Sequence, residues 1–334
     1  MEQAALSRSA PARVVPLWVV GAAFWLLVLA VVAARGAGLA ENETLATFGV
    51  IFTSIVVEAL PFILLGAAAS AAIAVWVPAR AFARVGRLPA PLQVPAAAVA
   101  GFAMPVCECG SVPVARRLML RGLRPSAGIA FMLAAPILNP IVLASTWVAY
   151  GAAGRAVEMT AARAALGLTV AVLAGWLIGR GGESLLRARA EDAVEEHDHE
   201  GGSAGGFVEH LASDFVFMGR FVVIGAAVAA LLQTAVPQDA LSSVAGATVL
   251  GALALMALAV ALSLCSEADA FVAVSFTAFP LGSQLAFLVL GPVVDAKLAV
   301  LYGATFRRRF VLQVLAIAVP VALAGALVFD AVIG

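Results

Sequence analysis

Long apolar runs are the feature that most constrains the fold of this 334-residue chain. Each run approaches or exceeds the roughly 20 residues that cross a bilayer core. Such runs fold as helices, because lipid offers backbone groups no other partner. Hydrophobic residues make up 63% of the chain and charged residues 12%. We therefore predict an all-α integral membrane protein whose apolar runs are Val14–Ala34, Phe48–Val77, Ala127–Tyr150, Ala161–Ile178, Phe215–Val236, Ser242–Leu264, Ser283–Tyr302 and Phe310–Val332.

Two polar motifs interrupt this apolar pattern. The first is "PVCECGSVPV", Pro105–Val114, and the second is "CSEAD", Cys265–Asp269. We predict that the stretch 92–124 enters the membrane, turns at its polar motif and returns, because this places most arginines on one face, as the positive-inside rule requires. The prediction is about seven full spans and two re-entrant hairpins whose tips meet near the midplane. The expected helix-breaking residues are Pro105, Pro113, Pro136 and Pro292.

An internal duplication is indicated by a constant offset of 156 residues. Placing Cys109 on Cys265 pairs "AFMLAAPILN", Ala130–Asn139, with "AFLVLGPVVD", Ala286–Asp295, without a gap. Under the hairpin topology the second copy is inverted relative to the first. The predicted division is an N-terminal tail with an extra span (1–46), repeat A (47–179), a polar cytoplasmic linker (180–210) and repeat B (211–334).

The polar linker contains "EEHDHE", in which His197 and His199 lie among carboxylates. Its glycine-rich and acidic composition is typical of a solvated connection between domains. The alternative is a weak metal-capture tract.

The paired cysteines are candidates for binding a soft ligand. In an extended stretch Cys107 and Cys109 would point the same way, with Glu108 turned aside and Gly110 in the same turn. Thiolates prefer soft acceptors such as zinc, monovalent copper or trivalent arsenic, so this pair is also the expected metal site. The alternative is that the cysteines pack as small apolar side chains.

Ionisable residues inside the apolar runs are few, and each is a candidate for substrate binding or coupling. Glu267 and Asp269 are expected to face the cavity together and hold a cation or share a proton, unless they cap broken helix ends. Lys297 forms an ion pair with Asp295 or extends to the interface. Glu58 is a further candidate, and Asn139 is the uncharged counterpart of Asp295.

Several function classes are excluded by what the chain lacks. Its single lysine, Lys297, does not lie in a phosphate-binding loop pattern, so we expect no ATPase domain in this chain. The net charge is zero, which argues against nucleic acid as a partner. We expect no cofactor and no enzymatic activity.

The stretches "PVCECGSVPVARRL", "AFMLAAPILNPIVLAST", "LCSEADAFVAVSF" and "LGPVVDAKL" resemble the YraQ/ArsP permeases of bacterial inner membranes. The resemblance implies a multi-pass permease of the bacterial plasma membrane with a cytoplasmic N-terminus. Some of these relatives export trivalent organoarsenicals through cysteine thiols. The acid between the cysteines here, Glu108, would favour a cationic metal over a neutral arsenical. From the two polar motifs and the internal duplication, the candidate substrate-binding residues are Cys107, Glu108, Cys109, Gly110, Asn139, Cys265, Glu267 and Asp269.

The expected function is transport of a thiol-seeking small solute by alternating access, with the bilayer and the solute as partners. A divalent or soft metal ion such as zinc is the alternative cargo. A membrane thiol oxidoreductase is a second alternative, although this chemistry usually needs Cys-x-x-Cys and a second exchangeable pair. The sequence leaves homo-oligomerisation open.

Overall fold

The computed structural model describes residues 43–76, 89–104, 106–179, 186, 204–235 and 248–333. This part of the chain is built from helices joined by short turns, with one isolated bridge between Leu186 and Phe306. The helices are α1 (Glu43–Trp76), α2 (Ala90–Ala100), α3 (Glu108–Leu120), α4 (Pro125–Leu138), α5 (Pro140–Gly151), α6 (Ala156–Gly179), α7 (Ala204–Ala235), α8 (Thr248–Leu262), α9 (Asp269–Ala273), α10 (Leu281–Leu290), α11 (Ala296–Thr305) and α12 (Phe310–Ile333).

Five helical segments in the described residues are long and apolar enough to cross a membrane. They are Thr44–Trp76, Pro125–Gly151, Ala156–Gly179, Gly206–Thr234 and Phe310–Ile333. The all-α membrane class is therefore confirmed. The predicted span Val14–Ala34 lies outside the described residues. The predicted run Ser283–Tyr302 is not one continuous helix, because it divides into α10 and α11.

The bundle has two ends, which we name by their residues. The basic face carries Arg124 and the run 307–309, and the bridge from Phe306 to Leu186 lies there. At this face Gly179 at the end of α6 packs against Ser126 at the start of α4. The far face is the opposite end, where Arg155 donates to the carbonyl of Ile333. The positive-inside rule predicts that the basic face is cytoplasmic.

The first hairpin, α2 with α3, enters and leaves at the basic face. Val94 near the start of α2 lies with Ala130 beside Gly175, and Gly101 after α2 packs on Ala135. Helix α2 therefore runs in the same direction as α4. Met119 near the end of α3 packs on Gly128, so α3 returns towards the start of α4.

The second hairpin, α8 with residues 263–280, enters and leaves at the far face. Near its outgoing end, the Gln284 amide donates to the carbonyl of Phe279 and accepts a hydrogen bond from Tyr150 at the end of α5. Gly291 after α10 lies next to Ala259 near the end of α8, so the two helices run in parallel. The hairpins therefore approach the middle of the bundle from opposite faces, as the sequence predicted.

Two breaks divide the central helices at matching positions. Asn139 separates α4 from α5, and its side chain accepts from the N–H of Ile141. Residues 291–295 separate α10 from α11, and Asp295 accepts from the N–H of Leu298. Helices α4 and α10 begin 156 residues apart, and so do α5 and α11. This spacing equals the offset of the predicted duplication, although the four-part division of the chain stays a prediction.

Two of the predicted helix-breaking prolines do not break a helix. Pro113 lies inside α3 and Pro136 lies inside α4, two residues before that helix ends. A proline removes one i to i−4 hydrogen bond. Both prolines are buried, and packing stabilises the two helices despite the missing hydrogen bond. Pro292 does lie in the break after α10, and Pro105 lies outside the described residues.

The core of the bundle is formed by α4 and α10. Every side chain from Ala127 to Leu138 is buried, and so is every residue from Gly282 to Leu290. Surrounding helices therefore shield both breaks from lipid, which is the condition under which irregular backbone survives at membrane depth.

Candidate functional site

The two hairpin tips touch each other. Ser266 in the second tip donates a hydrogen bond of 3.0 Å to Glu108 at the start of α3. Glu108 is 1% exposed, and Ser266 is fully buried. The contact joins residues 158 positions apart in the chain. The predicted meeting of the tips is therefore present, and it places a carboxylate at their junction.

The orientation of Glu108 differs from the sequence-based prediction. An extended tip would turn this side chain away from the cysteines, but α3 begins at Glu108 itself. Cys107 is the last extended residue, and Cys109 already belongs to the helix. The carboxylate therefore points into the junction and not away from it. The extended-strand argument was wrong for Glu108 because the helix already includes Glu108 and Cys109.

Lys297 is the cation that balances this carboxylate. Its Nζ lies 2.8 Å from Glu108 Oε1 and 3.5 Å from Asp295 Oδ2. It also donates to the carbonyl of Ser263 at 3.0 Å. The predicted pairing of Lys297 with Asp295 is thus the longer of two ion pairs. Lys297 is 3% exposed, so it does not extend to the interface.

The three cysteines gather beside the charged junction. Cys107, Cys109 and Cys265 are all buried and free, and they belong to one apolar cluster. The thiols of Cys107 and Cys109 interact with each other. Residues of α1 and α7 complete the cluster: Ala59, Phe62, Ile63, Phe215, Phe217, Met218 and Val222. Soft sulfur and hard carboxylate ligands therefore lie side by side at the tips.

Glu267 is the acid of the second tip whose polar contacts are weakest among the described residues, because its carboxylate interacts with the Cys265 thiol but makes no hydrogen bond of normal geometry. Both of its carboxylate oxygens are buried, and neither has a hydrogen bond of normal geometry in the described part of the chain. Atoms of Glu108, Cys265 and Glu267 that could ligate a metal lie within 4.8 Å of one another. A buried carboxylate is costly unless a cation or donor compensates it. This trio is therefore the best-formed cation-binding geometry among the described residues.

Asp269 does not join Glu267, contrary to the prediction that the two acids share a cation or a proton. Its carboxylate is held by Arg163 of α6 through two hydrogen bonds of 2.8 and 2.6 Å. Arg163 also donates to Thr146 at 2.8 Å and to the carbonyl of Ser266 at 3.4 Å. The reason is local geometry. In a strand, residues 267 and 269 would point to the same side, but α9 begins at Asp269, so this pattern does not apply.

A third ionic cluster lies between the first hairpin and α7. Asp214 accepts from Ser70 at 2.6 Å, and it pairs with Arg116 at 3.4 Å and Arg117 at 3.3 Å. The positive-inside argument counted both arginines on the basic face, and the structure shows that each is buried, at 3% exposed. Sequence reasoning missed Asp214 and Arg163. For Arg163 the available signal was a charge inside the apolar run Ala161–Ile178, which is rarely tolerated without a partner, whereas Asp214 lies one residue before the run Phe215–Val236.

The remaining predicted residues are found at or near the tips. Gly110 packs against Gly66 of α1 so closely that a Cβ atom at Gly66 would collide with the Gly110 backbone, and a Cβ atom at Gly110 would be tightly packed. Glu58 on α1 interacts electrostatically with Lys297 and Glu108. Asn139 is buried and caps α5, as described above. His197 and His199 lie outside the described residues.

Opposed re-entrant hairpins with a polar junction at membrane depth define an integral membrane protein of the permease class. The comparisons with known proteins support this class. The model of the ArsP family, described as predicted permease, matches residues 44–331. The chain therefore belongs to the ArsP-type family of predicted permeases.

Two relatives cover most of the chain. The UPF0718 protein YcgR of Bacillus subtilis (strain 168) is 40% identical over 281 residues, which is 83% of this chain and 95% of the relative. A Streptococcus mutans protein, strain UA159, is 33% identical over 274 residues, which is 79% of this chain and 88% of the relative. Its name describes it as a subunit of a two-component membrane permease complex. No solved structure matches the chain.

Proposed function

We propose that this permease moves a thiol-seeking small solute, such as a trivalent organoarsenical, across the bacterial plasma membrane. The observation that carries the proposal is that all three cysteines of the chain meet in one buried cluster. Two of them come from the first hairpin tip and the third from the second tip. Cysteine thiolates are soft ligands, and a set drawn from two moving elements can hold one solute between them.

The proposed mechanism is alternating access between the two hairpins. A solute bound to Cys107 and Cys109 belongs to the first hairpin, and a bond to Cys265 ties it to the second. Opening one hairpin away from the junction would expose the solute to that hairpin's own face. Because the hairpins enter from opposite faces, the same site would be reached from each side in turn.

A soft or divalent metal cation is the second candidate cargo, and a specific observation favours it. Glu267 is an acid whose buried oxygens make no hydrogen bond of normal geometry in the described part of the chain, and its carboxylate lies with Glu108 and Cys265 within 4.8 Å, close enough to share one metal ion. Lys297 compensates Glu108, but Asp295 and Glu267 add two further acids to the same region. A cation would compensate this excess negative charge, whereas a neutral arsenical would not.

Binding to the purified protein in detergent tests the proposal directly. The probes are phenylarsine oxide and Zn²⁺, each titrated against the wild type, Cys107→Ser, Cys109→Ser and the double variant. Ser111→Ala is the matched control, since Ser111 is buried in the same helix and carries no thiol. We expect each single cysteine variant to lose binding about as completely as the double variant, because a chelating site loses its advantage with one ligand.

The two cargo classes separate in the same titrations. Glu267→Gln should weaken Zn²⁺ binding about tenfold or more and leave phenylarsine oxide binding nearly unchanged, if the cation is held by that carboxylate. If the cysteine variants bind both probes as the wild type does, the thiols only pack and the proposed site is wrong.

A further inference from the structure

Two buried ionic clusters lie outside the junction of the tips, and the transport site makes no use of them. The basic-side latch consists of Ser70, Asp214, Arg116 and Arg117. The far-side latch consists of Thr146, Arg163 and Asp269. Their charged members are all 3% exposed or less. Burying such groups is costly unless they are paired, so their positions call for a physical explanation.

The two latches lie at different depths. The basic-side latch is displaced from the tips towards the basic face. Gly66 and Gly110 meet at the first tip, whereas Ser70 and Arg117 lie further along α1 and α3, towards the contact of Arg121 with Ala74.

The far-side latch is displaced in the opposite direction. Thr146 lies between the break at Asn139 and Tyr150 at the end of α5. Arg163 lies two turns into α6 from Arg155, which marks the far face. The junction of the tips is therefore enclosed between the two latches.

Each latch fastens one hairpin to long helices outside it. Asp214 belongs to α7 and Ser70 to α1, and together they hold the two arginines of the first hairpin. Arg163 belongs to α6 and Thr146 to α5, and together they hold Asp269 of the second hairpin. A hairpin cannot move away from the junction while its latch is closed, because the separation would leave buried charges without partners.

We propose that these two latches are the gates of the permease, one for each face of the membrane. The inference rests on the proposed transport function in one respect, since only a transporter would use these contacts as gates. The contacts themselves do not depend on any cargo. Opening of the basic-side latch would expose the tip cysteines to the basic face. Opening of the far-side latch would expose them to the far face.

The native cysteines provide the readout, because they are buried between the latches. We would measure their reaction rate with a membrane-impermeant maleimide in right-side-out and inside-out vesicles, without added cargo. Asp214→Asn and Asp269→Asn each remove the charge of one latch. Ser70→Ala removes the bond to Asp214, and Thr146→Val removes the bond from Arg163 together with one to the carbonyl of Val142. Both variants keep the ion pairs, so they decide the question if the stronger variants fail to fold. Glu209→Gln on α7 and Glu158→Gln on α6 are matched controls outside both latches.

The expected result is directional. Asp214→Asn and Ser70→Ala should raise labelling from the basic face, and Asp269→Asn and Thr146→Val should raise it from the far face. Each increase should be about tenfold, the change that loss of one hydrogen bond to a charged group produces. Both control variants should label as the wild type does.

The gate assignment is overturned if the latch variants label equally from both faces, or if folded Ser70→Ala and Thr146→Val keep wild-type rates. Failure of the proposed transport function would look different. Labelling would shift with direction as expected, but neither phenylarsine oxide nor Zn²⁺ would bind at the cysteines.

Discussion

Removal of Lys297, the cation that pairs with Glu108, should be among the most destabilising single changes in the described structure. The perturbation that tests it is a double-mutant cycle of Glu108→Gln, Lys297→Met and the combined variant. The two charged atoms lie 2.8 Å apart, and both side chains are at least 96% buried. Their gross attraction is about 6 kcal/mol at an effective dielectric constant of about 20.

Desolvation of the two ions opposes this attraction, so the pair as a whole adds little net stability. Removal of one partner is different, because it leaves the other charge buried and uncompensated. Lys297→Met leaves Glu108 and Asp295 buried without their cation, so it should lose about 3–5 kcal/mol of unfolding free energy. Glu108→Gln should lose less, because Lys297 still lies 3.5 Å from Asp295. The combined variant should lose less than the sum of the two single variants, because it removes both members of the shorter pair.

The assay is equilibrium unfolding of the purified protein in detergent micelles, followed by far-ultraviolet circular dichroism. A second combined variant, Asp295→Asn with Lys297→Met, serves as the control for the longer contact of 3.5 Å. It should remain nearly as unstable as Lys297→Met alone, since Glu108 is still unpaired. The reasoning is refuted if Lys297→Met costs less than about 1 kcal/mol, or if the cycle is additive within about 0.5 kcal/mol.

Three further predictions concern packing, topology and charge. Gly66→Ala should destabilise the protein by about 1–3 kcal/mol, because a Cβ there would collide with the backbone of the first tip, whereas Gly49→Ala, with open space around it, should be neutral in the same unfolding assay. Arg308→Cys and Ala153→Cys, both at exposed positions, should react with an impermeant thiol reagent from opposite sides of the membrane. The cysteine at position 308 should react only after cell lysis, and its labelling in intact cells would contradict the predicted orientation. Glu267→Gln should not destabilise the protein, because its buried carboxylate has no hydrogen bond of normal geometry to lose; a loss above about 2 kcal/mol in detergent unfolding would show a structural role instead.

The architecture was largely predictable because it follows from local chemistry. Apolar runs of membrane length must be helical, and a glycine beside cysteines and prolines marks a place where a span is interrupted. The arginine distribution then favoured hairpins over extra crossings. Each of these signals is contained within a few tens of residues, so no knowledge of distant contacts was needed.

The charged contacts were less predictable because they depend on helix starts and distant partners. Whether Glu108 faces the site or turns away depends on α3 beginning at Glu108 and not a turn later. Arg163 looked like an ordinary residue of an apolar helix, and its partner Asp269 lies 106 residues further along the chain. The predicted pairing of Lys297 with Asp295 was a local guess, and the shorter contact reaches across the two repeats.

The large sequence separation between Glu108 and its partners has a consequence for biosynthesis. Glu108 leaves the ribosome well before its partners Ser266 and Lys297 are synthesised. During that interval neither partner is available to compensate the carboxylate of the first tip. Stable insertion of that tip into lipid is costly until the second half of the chain arrives. The first hairpin should therefore remain in an aqueous or translocon-shielded environment during synthesis and take its final position in the membrane last. Nascent chains halted before residue 297 should keep Cys107 and Cys109 reactive towards a water-soluble thiol reagent, and release of the full chain should protect them.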